Sequence, residues 1–454
     1  MSFAITSISP IDGRYSRQTE SLKPVFSEFG LIKNRVKVEI LWLIALSNDK
    51  EIKELPKFSK NSLKFLDQLF LDFSEKDAKA VKEIESKTNH DVKAVEYWLR
   101  NQLKKKKLNK ANEFIHFSLT SEDVNNLAYA LMLKEGLSET IVPSIKKISS
   151  ILKANSKKFA SLPMLSRTHG QTASPTTLGK EFANINYRIE RQITQLKNQE
   201  ILGKINGAVG NYNAHISAYP KKNWPAFSKN FISSLKLTYN PLTTQIEPHD
   251  FIAEIFQNVS RINTILIDLN RDIWGYISLG YFKQKVIKGE IGSSTMPHKV
   301  NPIDFENSEG NLGLSNAILS HLAEKLPLSR WQRDLTDSTV LRNIGVGFSY
   351  GLIAYNSCIK GLNKLEVNKS IIHEELNQSW EVLAEPIQTV MRKNGIENSY
   401  EKLKDITRGK GKISADKIHH FIKNLKISSE DKTYLLELTP QTYIGVAPQL
   451  AKKN

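Results

Sequence analysis

Apolar residues at Ile255, Val259, Ile262, Leu266, Leu269 and Ile273 recur at alternating steps of four and three. That spacing lines one side of an α-helix, and a strand with its period of two cannot use it. So long an apolar seam must be covered by other helices, which points to a bundle of unusually long ones. Leu178, Phe182, Ile185, Ile189, Ile193 and Leu196 give a second seam. The stretch from Ser121 to Phe159 reads as a third long helix, with a kink expected at Pro143, which has no N–H to donate. A fourth and a fifth are expected from Asn307 to Leu326 and from Leu335 to Leu365. Period-two alternation is scarce, so the expected fold class is all-α.

A chain of 454 residues exceeds what one hydrophobic core supports. Shorter helical patterns precede the long seams, and short pieces separated by Gly and Asn follow them. Three domains are therefore expected: 1–111, a central long-helix bundle over 112–366 with a mobile serine loop near 286–303, and 367–454. Seams this long expose more apolar surface than one subunit covers, so the bundle is expected to assemble with other copies. The one cysteine, Cys358, sits in an apolar stretch and is expected to be a buried thiol in a reducing compartment. Neither a secretory leader nor an apolar run long enough to cross a bilayer is seen, so a cytoplasmic protein without a membrane partner is expected. The net charge of +17 allows a nucleic-acid partner or an anionic substrate. The densest basic run, Lys104 to Lys107, ends a helical pattern and has no interleaved aromatics, so it reads as a solvated helix end.

Four segments interrupt the helical patterns with polar, chemically specific residues. Gly289 to Pro302 combines glycines, Ser293, Ser294, Lys299, Asn301 and two prolines between two helical stretches, in the manner of a functional loop on a rigid scaffold. Ser166-Arg167-Thr168-His169-Gly170-Gln171 runs into a loop just before the second seam, and a lone histidine there reads as easily as a surface residue as a catalyst. Thr120-Ser121-Glu122-Asp123 is a helix-start signature whose capping role alone would explain it, although the same positive helix end suits a carboxylate. Asn89-His90-Asp91 opens a helix in the same way. Arg330, Arg333 and Arg342, with Ser338 between, form a basic group at the start of a late helix. No zinc spacing, His-Glu-x-x-His helix, phosphate-cradling loop or dinucleotide-binding glycine motif occurs, so no metal or cofactor is expected. What remains is acid-base chemistry on a multiply anionic small molecule.

The Gly292 to Pro302 stretch, Gly-Ser-Ser-Thr-Met-Pro-His-Lys-Val-Asn-Pro, resembles the signature of the fumarase/aspartase superfamily, whose members release fumarate by elimination. His298 before the lysine resembles its adenylosuccinate lyase branch in the bacterial form. Arg14-Tyr15, Asn89-His90-Asp91, Thr120 to Asp123, Arg167 to Gln171 and Trp331 to Ser338 fall in that branch's order, so the resemblance spans the chain. Thr172 departs from it, since proline commonly follows the Thr-His-Gly-Gln run.

The resemblance implies β-elimination of fumarate from adenylosuccinate, giving AMP, and from the succinylated aminoimidazole carboxamide ribotide of purine biosynthesis. In it Ser293 takes the proton from the succinyl carbon and His169 protonates the departing nitrogen. The charge that builds at the carboxylate needs fixed donors, for which Lys299, Asn301, Thr120 and Ser121 match. The leaving nitrogen departs poorly without a group titrating near neutrality to supply a proton. Arg14, Tyr15, Arg333, Ser338 and Arg342 suit a phosphate, with Asn89, His90, Asp91, Thr168 and Gln245 as further substrate contacts.

A carboxymuconate cycloisomerase carries a similar Met-Pro-His-Lys loop, but the flanking arginines favour a phosphorylated substrate. Lysines scattered rather than striped speak against nucleic acid, and intact Ser293, His169 and Lys299 against an inactive scaffold. Thr120 starts the helix that His169 follows, and at about 1.5 Å per residue its ends lie roughly 50 to 60 Å apart if it is straight. Both can touch one small substrate only from different copies. That agrees with the homotetramer the resemblance implies, with sites between subunits and His90 grouped with Thr120 on one chain.

Overall fold

The computed structural model describes residues 5–287, 289, 295, 296, 298–407 and 413–453. The expected helices are present as Asp250–Ser278, Leu178–Lys197 and Ile303–Lys325, and both apolar seams are buried along their length. Burying each such side chain stabilises the fold by about 1.5–3 kcal/mol. Helical structure also runs unbroken from Ser121 through Lys158, in the segments Ser121–Gly136, Leu137–Ile141 and Val142–Lys158. The middle segment is a π-turn in which the Val142 N–H donates to the Leu137 carbonyl, five residues back. The disturbance expected at Pro143 is thus taken up in the turn that precedes it. The late helix is broken into Thr336–Leu341 and Ile344–Lys364. At the break the Asn343 N–H bonds the Val340 carbonyl at 2.9 Å, three residues back, which tightens the turn around Arg342.

The described parts of the chain pack into two compact units, each made of three separated stretches. One takes Met1–Ile145, Gln192–Thr264 and Gly310–Asn356; the other takes Lys146–Arg191, Ile265–Glu309 and Ser357–Asn454. The three consecutive domains expected from the sequence are a different kind of division, made along the chain. In the first unit three long helices share a buried polar rung. Asn263 donates to Ser315 Oγ at 3.1 Å and accepts from the Tyr355 hydroxyl at 2.6 Å, while Ser315 donates to the Gly347 carbonyl at 2.8 Å. Removing one member strands buried partners at a cost of about 1–3 kcal/mol each. In the second unit Asn270 donates to Ser308 Oγ at 2.9 Å and Ser149 to Asn186 Oδ1 at 2.7 Å. Cys358 is buried, and burial pushes its thiol up to about 12.

Sheet structure is confined to three two-stranded pairs among the described residues. The longest is an antiparallel hairpin of Pro163–Thr168 and Gln171–Thr177. The Arg167 to Gln171 motif, read from the sequence as running into a loop, is therefore the tip of a hairpin. None of the described helices is long and apolar enough to cross a membrane.

Candidate active site

In the first unit, motifs far apart in sequence meet through one run of side-chain bonds. Arg342 donates through Nη1 to Glu28 Oε2 at 2.6 Å and through Nη2 to Asp91 Oδ2 at 3.1 Å. The same Asp91 oxygen accepts from Arg35 Nη2 at 2.7 Å, and Arg35 Nε donates to Asn125 Oδ1 at 2.8 Å. Asn125 donates to Glu122 Oε1 at 2.7 Å, and that oxygen is paired with Arg333 Nη2 at 2.9 Å. Arg333 reaches Gln245 Oε1 at 3.1 Å through Nη1 and Ser338 Oγ at 3.2 Å through Nη2. Gln245 in turn donates to the Ala208 carbonyl at 3.0 Å. Five of the candidate residues, Asp91, Gln245, Arg333, Ser338 and Arg342, thus share one network.

Local backbone explains how the network's neighbours are set. Asn89, in the left-handed region at φ 52°, ends the Glu75–Thr88 helix. His90 then caps the Asp91–Lys105 helix, its Nδ1 accepting from the Lys93 N–H at 3.2 Å. A neutral His90 ring therefore carries its proton on Nε2. The Thr120 N–H is held by Asp123 Oδ2 at 2.9 Å, which is the acid half of a capping box. Asp123 does more than cap. It is fully buried, pairs with the equally buried Lys204 Nζ at 2.9 Å, and accepts from the Asn206 and Gly207 N–H groups at 3.0 Å each. Glu122, beside it, belongs to the network rather than to the cap. Arg14 is exposed, and its guanidinium carbon lies 5.9 Å from the centre of the half-buried Tyr15 ring.

The electrostatics follow from this pairing. Burial works against the charged form of Asp91, but Arg35, the Val92 N–H and Arg342 together outweigh it and hold its carboxyl below the usual carboxylate range. Arg342 is likewise held more firmly protonated, because Glu28 and Asp91 outweigh its burial. Asp337 is depressed against its own burial by His249 and Arg333.

In the second unit the histidine is placed by backbone geometry. His169 and Gly170 have φ of 54° and 73° and form the two-residue tip of the hairpin, between the paired Thr168 and Gln171. Two consecutive positive φ values suit the right-handed twist of the strands, and glycine supplies the second at no steric cost. Thr168, His169 and Gly170 are exposed. Below the tip, Arg167 pairs with Glu375, which also accepts from the Tyr281 hydroxyl, so the strand is tied to the Lys369–Asn377 helix. Thr172, the departure from the family pattern, sits opposite Arg167 in the register and its hydroxyl accepts from Arg167 Nη1 at 3.4 Å. Lys299 is exposed and Asn301 half-buried, just ahead of the Ile303–Lys325 helix. Ser293 lies outside the described residues.

Residues 13–317 match the lyase family profile, and residues 329–444 match the adenylosuccinate lyase C-terminal profile. The adenylosuccinate lyase of Vibrio cholerae is 58% identical over 99% of this chain and 99% of its own length. That of Escherichia coli K12 is 58% identical over 98% and 97%. The chain belongs to the adenylosuccinate lyase family. Two solved structures share the fold: a fumarate lyase from Mesorhizobium at TM-score 0.76 and 17% identity, covering 96% of this chain and 97% of that one, and a 3-carboxy-cis,cis-muconate lactonizing enzyme from Pseudomonas putida at 0.74 and 19%, covering 96% of each. At such identity they speak to the fold alone. The cycloisomerase alternative therefore has a shared scaffold behind it, while the lyase family has the sequence.

Within this family member, sequence reasoning passed over Arg35, Asn125 and Lys204, and it read Glu122 only as part of a helix cap. Arg35 and Glu39 had left a readable signal. They lie on the Glu28–Asn48 helix at the spacing of Leu31, Trp42 and Leu46, so two charges interrupt an otherwise apolar buried face. Lys204 left none, since its partner Asp123 is distant in sequence.

Proposed function

We propose that the chain eliminates fumarate from adenylosuccinate to give AMP, and from the succinylated aminoimidazole carboxamide ribotide to give the free carboxamide ribotide, in cytoplasmic purine biosynthesis. The full-length 58% identity to adenylosuccinate lyases carries this reading. The meeting of Gln245, Arg333 and Ser338 supports it, because an arginine with hydroxyl and amide neighbours suits a phosphate. In the proposed step Ser293 removes the proton from the succinyl carbon, the carbon–nitrogen bond breaks as the double bond of fumarate forms, and His169 protonates the leaving nitrogen. Thr120, Ser121, Lys299 and Asn301 hold the carboxylate on which charge builds. Arg14, Tyr15, Arg333, Ser338 and Arg342 hold the phosphate, with Asn89, His90, Asp91, Thr168 and Gln245 around them. No cofactor is needed to balance the step.

The working form in this reading is a homotetramer with each site shared between subunits. The unbroken helical run from Ser121 to Lys158, which has Thr120 before it and His169 after it in the chain, supports it. Exposed Trp274, Ile303 and Leu314 on the long helices suit a subunit interface. The deciding assay is purified protein with adenylosuccinate, followed by absorbance and by chromatography for fumarate and AMP. Stoichiometric release of both is expected, and a protein that forms neither sinks the reading.

A further inference from the structure

Arg35 is 2% exposed and belongs to none of the motifs that suggested the site. Its guanidinium nevertheless joins two of them. Nη2 donates to Asp91 Oδ2 at 2.7 Å, at the start of the Asp91–Lys105 helix, and Nε donates to Asn125 Oδ1 at 2.8 Å, one turn into the helix that begins at Ser121. Beyond Asp91 lies Arg342, and beyond Asn125 lie Glu122 and Arg333. We propose that Arg35 is a positioning residue that sets the separation and direction of the two substrate-binding arginines, Arg333 and Arg342, without touching substrate itself.

The physical basis is the rigidity of the guanidinium. Its donors leave a planar group in fixed directions, so two acceptors bound to it are fixed relative to each other, whereas an ammonium on a flexible stem fixes neither. Charge balance adds a second effect. Asp91 is shared by Arg35 and Arg342 at 2.7 and 3.1 Å. With Arg35 in place its negative charge is already answered from the buried side, which leaves Arg342, itself partly exposed, able to answer an incoming anion. Without that partner Asp91 holds Arg342 more tightly and turns it from substrate toward the protein. Both effects act on binding of the phosphate end and leave the proton-transfer groups alone.

The inference rests on the adenylosuccinate reading, and the experiment separates the two. Wild type, Arg35→Lys, Arg342→Gln and the double variant are compared for KM and kcat with adenylosuccinate and for competitive inhibition by AMP, with thermal melting as the check on folding. Arg35→Lys keeps the buried charge and is expected to raise KM and the AMP inhibition constant about tenfold, with kcat within about threefold of wild type. The double variant is expected to bind less weakly than the product of the two single effects, because the part of the Arg35 effect that acts through Arg342 is already gone and only the part through Arg333 remains. A purely structural role would lower melting temperature and the amount of active enzyme but would leave KM unchanged and make the two substitutions multiply. KM and AMP inhibition of Arg35→Lys within twofold of wild type, or multiplicative effects in the double variant, overturn the proposal. Should Arg35→Lys fail to fold, Asn125→Ser removes the Nε acceptor and keeps the Arg35 to Asp91 pair. Several-fold weaker AMP inhibition is then expected, and wild-type inhibition overturns the proposal. An inert wild type would count against the proposed function instead.

Discussion

In the unit that carries Arg333 and Arg342, five candidate residues, Asp91, Gln245, Ser338 and the two arginines, are held by other side chains, whereas in the unit that carries His169 the backbone sets that histidine. Asp91 accepts from two arginines and Glu122 from an asparagine and an arginine. His169 instead sits exposed on a two-residue turn whose φ values aim it. The difference is one of coupling. Members of a network share partners, so their removal is non-additive and spreads over binding. A residue at a turn tip can be changed with little effect on its neighbours, and its loss should appear in turnover.

The largest effect expected from that contrast is in proton transfer. Ser293→Ala should lower kcat on the order of a hundredfold or more while AMP inhibition stays near wild type. His169→Gln should erase one limb of the pH profile of turnover. A Ser293→Ala enzyme that keeps most of its turnover rules out the serine as base, and an unchanged pH profile in His169→Gln moves the acid role to His90.

Next in size is recovery by mixing. If His90 and His169 reach one substrate from different copies, inactive His90→Gln and His169→Gln proteins should regain activity after dissociation and joint reassembly. Equal random mixing leaves about one quarter of shared sites with both histidines, so activity should approach that fraction of wild type. No recovery after verified subunit exchange, with each variant folded and inactive, would mean that one chain supplies both.

Two glycines sharpen the comparison further. At Gly170, φ is 73° and an added Cβ meets nothing within 4 Å, so Gly170→Ala should cost only backbone strain of about 1 kcal/mol and show mainly in kcat. At Gly210, φ is 82° and an added Cβ would lie 2.3 Å from the Thr243 carbonyl oxygen, in the loop next to Gln245. Gly210→Ala should therefore cost strain plus collision, roughly 2–4 kcal/mol, and raise KM through Gln245. Equal melting temperatures for the two variants would erase the distinction between a local tip and an interlocked loop.

Much of this contrast could be read along the chain and some could not. The seams at Ile255 to Ile273 and Leu178 to Leu196 are periodic over many turns, so their helices and buried faces were plain. The family signature, with the comparisons, carried the assignment. The hairpin was missed because its strands are short and its turn depends on a His-Gly pair that also suits a loop. Thr120 to Asp123 was legible as a cap, but Glu122 beside it acts through Arg333, a partner more than two hundred residues away in sequence. Local pattern cannot report such pairs, and only the buried charge at Arg35 hinted at one.

The smallest effect concerns pH and a further buried charge in the first unit. His116 Nδ1 lies 2.6 Å from Glu39 Oε1, and Glu39 is fully buried. Burial disfavours the charged imidazole, but Glu39 outweighs it and raises the His116 pKa above its ordinary value. A raised histidine contributes stability that is fully present below the unfolded value, near 6.5, and is lost as pH rises through the folded one. Asp91 runs the other way: its depressed carboxyl contributes at neutral pH and loses its contribution only in acid, as pH falls through the folded value. Melting temperature of the wild type should therefore decline as pH rises past neutrality, by on the order of 1–2 °C for a contribution of about 1 kcal/mol. Glu39→Gln removes the partner that raises His116 and should flatten that decline while lowering the curve at mildly acid pH. His169→Gln should leave the shape of the curve as in wild type, since the hairpin tip is outside this pair. A Glu39→Gln protein whose melting curve keeps the wild-type slope between mildly acid and mildly alkaline pH would place the titrating group elsewhere.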